Sequence, residues 1–192
     1  MKRILVGLGC AALVGLGCGR GAEENVAPHP AGAPPVGSGA PPVTSAPIPN
    51  VALVPHEKLA ATVPELEGWT HTKPSSATVS LPAPAAHVLT TYTRGKAEID
   101  LEITDTGGHP DYVGSLAKVA GTSFSQSASN GYMKGTTLAG SPAVESWNHL
   151  DKLGDISILI DRRFIVHATG TSLDKIETLR ELVTKVDLSK VK

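Results

Sequence analysis

Beyond Cys18 the chain has no cysteine: of 192 residues only Cys10 and Cys18 are of this type. The long remainder can form no disulfide, present no thiolate nucleophile and build no cysteine-based zinc site. Aromatic residues are scarce, at 4%, which argues against surfaces that stack sugars or bases. Neither sign of charge dominates, since 17 Lys and Arg stand against 18 Asp and Glu, for a formal net charge of −1. That balance excludes a basic field able to hold nucleic acid, and there is no polyacidic tail. The patterns G-x-S-x-G, H-E-x-x-H, the phosphate-binding P-loop and G-x-G-x-x-G are all absent. No catalytic residue, metal ligand or cofactor is therefore assigned on motif grounds.

A long apolar run is missing as well. The best candidate, Ile4 to Gly17, has 14 residues and would reach only about 21 Å as a helix, short of the ~20 residues that span a bilayer. Lys2 and Arg3 precede it, and the small residues Gly15 and Gly17 close it just before Cys18. A basic segment, an apolar segment and a small-residue cleavage zone read as an export signal. The stretch Gly15-Leu16-Gly17-Cys18 resembles the lipobox of bacterial lipoproteins. Gly17 and Cys18 match its last two positions, while Gly15 and Leu16 stand where Leu and a small residue are usual. The resemblance implies a signal peptide over residues 1–17, removed before Cys18, and acylation of that cysteine. Cys10 has a similar Gly-Leu-Gly before it, but only a six-residue apolar segment, so Cys18 is preferred. Gly19 follows where Asp would signal inner-membrane retention, so an outer-membrane location is favoured. An ordinary cleaved signal and an uncleaved anchor are the alternatives.

From Cys18 to Asn50 the chain is rich in Pro, Ala and Gly, with eight of its 15 prolines and none of its aromatics. Such a segment has too little apolar side chain to build a core and is expected to act as a disordered tether. Fully extended it would reach ~100 Å, and as a flexible coil nearer ~35 Å. A polyproline ligand through "APPVGSGAPPV" is the sharper alternative.

Residues 51–192 carry the periodic signals of a single domain. "HEKLAATVP" reads as a short helix stopped by Pro64. "AHVLTTYTR" and "KAEIDLEITD" read as strands, with Ala97, Ile99, Leu101 and Ile103 alternating with Glu98, Asp100, Glu102 and Thr104. Arg94-Gly95-Lys96 makes a hairpin turn between them. A helix is expected from Asp111 to Ala120. Strands are expected at Tyr132–Leu138 and Ala143–His149, joined at 139–142, and a hairpin in "DISILIDRRFIVHATG" turning at Asp161–Arg163. The final segment should be a helix with the stripe Leu173, Ile176, Leu179, Leu182, Val183 and Val186. Thr171 or Ser172 would cap it, Asp174 would favour its N-terminal dipole, and Glu181 would pair with Lys185. The order predicts an α+β domain, a mainly antiparallel sheet of about six strands packed with two helices and covered on one face. The hairpins, the "LAGSPAVES" turn and the final helix are similar to domains of the Mog1/PsbP-like class over roughly residues 65–190. That resemblance implies the fold and carries over no functional residue.

Four arrangements are candidates for chemistry, each with a plainer reading beside it. Glu98, Asp100, Glu102 and the nearby Asp105 could hold Ca²⁺, yet a solvated outer face is the preferred reading. His149 and His167 could meet across the sheet as a zinc pair, against ordinary half-exposed histidines. Trp69 and Trp147 could line a groove, against filling a core. Gly107-Gly108-His109-Pro110 could cradle an anion at a helix start, but with no Lys or Arg alongside in sequence a simple turn is preferred. The expectation is a lipid-anchored envelope protein, a non-catalytic binding or accessory domain. Its partners would be the membrane, through the lipid, and an envelope protein or polymer, with no nucleic acid. An envelope enzyme with an Asp/Glu/His site assembled by the fold is the alternative.

Overall fold

The computed structural model describes residues 51–80, 83–120, 122 and 124–191. The expected signal peptide, Cys10, Cys18 and the tether to residue 50 lie outside them.

Ala85–Arg94 (β3) and Ala97–Asp105 (β4) form the hairpin that the alternation predicts. Arg94 pairs with Ala97, so Gly95 and Lys96 alone make the turn, and Gly95 takes φ +62°, the left-handed backbone that two-residue hairpins need. Gly131–Leu138 (β6) pairs with Ser141–Asn148 (β7), and Leu153–Ile160 (β8) with Phe164–Thr171 (β9). The β6–β7 turn is shorter than expected. Ala139 and Gly140, at φ 48° and 80°, make it alone, and Ser141 and Pro142 already belong to β7.

Three further strands escape the sequence reading: Thr70–His71 (β1), Ser75–Val79 (β2) and Ser125–Ala128 (β5). Every residue of β2 and β5 is exposed, so neither shows the one-sided burial that period-two alternation records. Among the described residues the antiparallel sheet therefore has nine strands, not about six, in the order β1-β3-β4-β9-β8-β7-β6-β5, with β2 also paired to β3.

Pro110–Ala120 (α2) matches the expected helix, with proline at its first position. Glu177–Lys185 (α3) keeps Leu179, Leu182 and Val183 buried and the Glu181–Lys185 ion pair at 2.7 Å, but it starts later than expected. The β9 ladder runs on to Thr171, which pairs with Glu98, and Ser172 takes φ 54°. Neither residue caps the helix; Ile176 stands at the N-cap without a side-chain bond. Leu173 is buried ahead of the helix, with its N–H donating to the Lys152 carbonyl at 3.1 Å, and Asp174 pairs with the Lys152 ammonium at 3.0 Å. A third, short helix, His56–Ala60 (α1), and a 3₁₀ turn, Leu188–Val191, complete the elements.

Helices cover both faces of the sheet, not one. Gly154 on β8 faces α3, because a Cβ there would meet Leu179 Cδ1 at 2.8 Å and Ile176 Cδ1 at 3.0 Å. Gly135 on β6 faces α2, because a Cβ there would lie 3.0 Å from the Val119 carbonyl oxygen. Gly135 pairs with Val144 and Val144 with Ser157, which has the opposite orientation to Gly154 in β8. The α3 face holds the main core: Val88, Tyr92, Ile99, Leu101, Ile103, Ile156, Phe164 and Val166 pack with Leu59, Leu179, Leu182 and Val183. Each fully buried Leu or Ile contributes about 1.5–3 kcal/mol. The α2 face is covered only where α2 lies on β6, β7 and β8, burying Leu159. No helix among the described residues is long and apolar enough to cross a membrane.

Candidate functional site

The half of this face that α2 leaves open is the candidate site. Strand alternation sends one row of side chains across it: Gln126, Met133, Ser146, Asp155, Thr169, Asp100 and Thr91, each opposite the next. Met133 and Leu153 stay 44% and 43% exposed, as does Leu89 of β3 further along this face, at 37%. They line a groove of about 750 Å³ with Trp147, Gly154, Ser146, Asn148, Asp155 and Thr169. A wide, shallow surface with an apolar floor and a few polar groups suits recognition.

A smaller cleft of about 300 Å³ lies on the same face, where Tyr112 of α2 meets His87, Glu102, Thr104, Ser157, Ile165 and His167. Two histidines line it, each paired with a carboxylate: Glu102 in the cleft itself and Asp155 in the neighbouring groove. His87 Nδ1 lies 3.0 Å from Glu102 Oε1, which also accepts from the Thr104 hydroxyl at 3.1 Å. His167 Nε2 lies 2.7 Å from Asp155 Oδ2, which accepts from the Thr169 hydroxyl at 3.2 Å. The bond to Asp155 raises the His167 pKa above its ordinary 6.5; burial opposes the rise, and the charges of Asp155 and Glu102 add to it. Histidines oriented by carboxylates can move protons. The pairs are diagonal neighbours within the two hairpins, so the turns at Gly95-Lys96 and 161–163 set them. Counting back from those turns in the sequence would have found both.

The other expected groupings come apart. Asp105 does not extend the acidic row, because its parity in β4 turns it inward with Ile99, Leu101 and Ile103. It is buried there and held by Arg163 Nη2 at 2.6 Å and Nε at 2.7 Å, and by the Val54 N–H at 2.7 Å. Burial alone would raise its pKa, but Arg163 and the N–H groups of Val54 and Gly107 outweigh that and lower it. Glu98, Asp100 and Glu102 do share the open face, with Asp100 accepting from the Thr91 hydroxyl at 2.6 Å. Among the described residues no three His, Cys, Asp or Glu side chains are grouped to hold a metal. His149 does not meet His167: β7 ends at Asn148, His149 falls in the turn beyond, and β8 separates β7 from β9.

Trp69 is core, 8% exposed, with the Arg94 guanidinium 4.6 Å over its ring. Trp147 is half-buried and borders the groove. The Gly107–Pro110 turn lies beside Arg162 and Arg163 after all, since the β8–β9 turn comes to it. Its N–H groups are nonetheless occupied, Gly107 donating to Asp105 Oδ1 at 3.0 Å and Gly108 to Thr106 Oγ1 at 3.2 Å. It is a self-satisfied turn.

No protein-family model matches the chain, and no curated protein matches it. A solved structure of an uncharacterized protein (Rv0999 ortholog) from Mycobacterium smegmatis is similar at 10% identity and a TM-score of 0.35, over 72% of this chain and 98% of that one.

Proposed function

We propose that this is a cell-envelope protein, anchored through lipid on Cys18, whose domain is non-catalytic and binds an envelope protein or polymer. The Mog1/PsbP-like resemblance and an outer-membrane location belong to the same reading. The groove beside Met133 and Leu153 carries the binding part: it leaves two large apolar side chains open to solvent in the sheet's interior strands, and exposed apolar surface of this kind serves association. The export signal and the proline-rich segment support the anchor and the tether. Two or three acyl chains hold a protein on a bilayer, where one gives only marginal binding.

The anchor is tested by the intact mass of the detergent-extracted protein beside a Cys18→Ser variant. A chain beginning at Cys18 with diacylglyceryl and acyl mass, absent from the variant, is the expected result. An unlipidated mass from the unaltered protein would remove the anchor. The binding reading is tested by crosslinking in envelopes with a photoreactive residue at position 153. Discrete adducts are expected, and a profile identical to that from a probe on the far side of α3 would count against the groove.

The second reading, an envelope enzyme, is favoured by the two carboxylate-paired histidines that line one cleft. In that case His87→Ala and His167→Ala would abolish turnover while leaving groove adducts intact.

A further inference from the structure

Among the described residues the strands hold two Lys or Arg side chains, Arg94 and Lys134, and both turn away from the groove; the basic groups on the open face are His87 and His167, beside Glu102 and Asp155, so Glu98 and Asp100 carry its unshared charge. Arg94 lies on Trp69 at the core and Lys134 on Glu145 beneath α3, at 3.1 Å. The open face carries four carboxylates instead: Glu98, Asp100, Glu102 and Asp155. Among the described residues its strands place no Lys or Arg there. The helix α2, over the other half, adds one charge of each sign, Asp111 and Lys118. With a net charge of −1 for the whole chain, the asymmetry is one of placement and not of composition. Asp155 lines the groove itself, and Asp100 lies two strands further on, across Thr169, about 10 Å at ordinary strand spacing.

We infer that the groove takes an extended segment of a partner protein in which Lys or Arg residues flank apolar side chains. This rests on reading the domain as a binding module, and it names the partner's chemistry. An apolar side chain seated by Met133 and Leu153 leaves side chains two and four residues away, which share its face of an extended segment, within reach of Asp155 or Asp100, since extended chain advances ~3.3 Å per residue. The alternatives fit worse on charge. A second copy would bring the same four carboxylates against themselves. Phosphate-bearing surfaces, whether lipid or nucleic acid, meet repulsion. The chain's own segment from Gly19 to Asn50 offers Arg20 against Glu23 and Glu24, so it does not complement the face either.

The test uses the detergent-extracted full chain and four fluorescent heptapeptides read by anisotropy: Lys and Leu alternating at every second position with Gly between, so that both share one face of the extended peptide, the same with Glu for Lys, the same with Gln for Lys, and the same spacing with lysine alone. The Lys/Leu peptide is expected to saturate at one per chain and to lose at least tenfold in affinity between 50 and 300 mM salt. A Glu98→Gln/Asp100→Asn double variant, altering only exposed side chains, is expected to weaken it about tenfold, and Leu153→Glu to abolish binding of the Leu-containing peptides. Equal binding of lysine alone, or an unchanged affinity in the double variant, would overturn the inference. If the Gln/Leu peptide binds as tightly as Lys/Leu and Leu153→Glu abolishes both, the groove stands as a binding site while its charge preference falls. If no peptide binds, the inference fails, and adducts at position 153 then decide the binding reading separately. Capture of vesicles with anionic lipid by the unlipidated Cys18→Ser chain would overturn it in favour of a lipid surface.

Discussion

Glu145, in the middle of β7, grips Arg180 of α3 with both oxygens: Arg180 Nε donates to Oε2 at 2.8 Å and Nη2 to Oε1 at 2.6 Å. Lys134 and the Tyr132 hydroxyl reach the same carboxylate at 3.1 and 2.9 Å. The carboxylate is fully buried, so it is stable there only because each oxygen is satisfied. Burial would raise its pKa, but Arg180, Tyr132 and Lys134 outweigh that and hold it at about 2, against an ordinary 4.5. Tyr132 is pushed up to about 12, by burial first and then by the adjoining carboxylate.

That relationship makes the fold acid-sensitive. A lowered carboxylate pKa contributes stability that is present above pH 4.5 and is lost as pH falls toward 2, at most roughly 3 kcal/mol. Glu145→Gln should lose about 2–3 kcal/mol at neutral pH, because Lys134 then faces no counter-charge there and Arg180 keeps only the exposed Glu177, at 3.1 Å. Its urea midpoint should change less between pH 5 and pH 2.5 than that of the unaltered protein. Parallel pH profiles for the two would refute the assignment.

Asp105 and Arg163 fasten the chain leading into the domain. Arg163 Nη2 also donates to the Ala52 carbonyl at 2.9 Å, so one ion pair ties residues 52–54 to the end of β4 and to the β8–β9 turn. Asp105→Ala should destabilise by about 2–3 kcal/mol, leaving the Val54 and Gly107 N–H groups without their acceptor and the guanidinium with the Ala52 carbonyl but no counter-charge. Hydrogen exchange should then rise first at Val54 and Gly107. A uniform rise across the sheet would argue against a local tether.

Gly135 sets how closely α2 approaches the sheet. A Cβ there would lie 2.6 Å from the Thr122 carbonyl oxygen and 3.0 Å from that of Val119, both backbone atoms that cannot swing aside. Gly135→Ala should cost roughly 2 kcal/mol and loosen α2, giving faster exchange in α2 with α3 unchanged. Stability equal to that of the parent would mean that α2 does not sit this close.

His167 gives an opposite pH signature. Its pKa is raised by Asp155, so the pair's contribution is fully present below about pH 6.5 and is lost as pH rises through the elevated value. Asp155 and Glu102 face it from the strands, with Tyr112 and Ser157 in the same cleft. Chemical-shift titration of His167 should give a midpoint above 6.5 that drops in Asp155→Asn. Binding of a cationic peptide should tighten as His167 loses its proton and the face becomes more negative. Affinity independent of pH between 5.5 and 8.5 would contradict this.

Much of the fold was legible because hairpins are local. Alternation in β3 and β4, the turn at Gly95 and the apolar runs of β8 and β9 specify their own pairing within twenty residues, and the amphipathic stripe of α3 specifies its buried side. The edge strands β1, β2 and β5 were not, since an exposed strand is defined by hydrogen bonds to its neighbour and not by its own side chains. The start of α3 was misread for a related reason: the pairing of Thr171 with Glu98, far off in sequence, holds extended a segment that locally could cap a helix.

The sequence by itself determined the antiparallel character of the sheet, the parity that separates Ile99 from Asp100, and the lack of any cysteine in residues 51–192, because each depends on residue identities or on residues adjacent or nearly so. Only the tertiary structure decided that helices lie on both faces, that Asp105 turns inward to Arg163, that Glu145 is buried on Arg180, and that four carboxylates share one open face beside Met133 and Leu153. Those outcomes join residues tens of positions apart, through a strand order in which β9 inserts between β4 and β8. Non-local order of that kind is set by the packing of the whole core, and no short-range pattern encodes it.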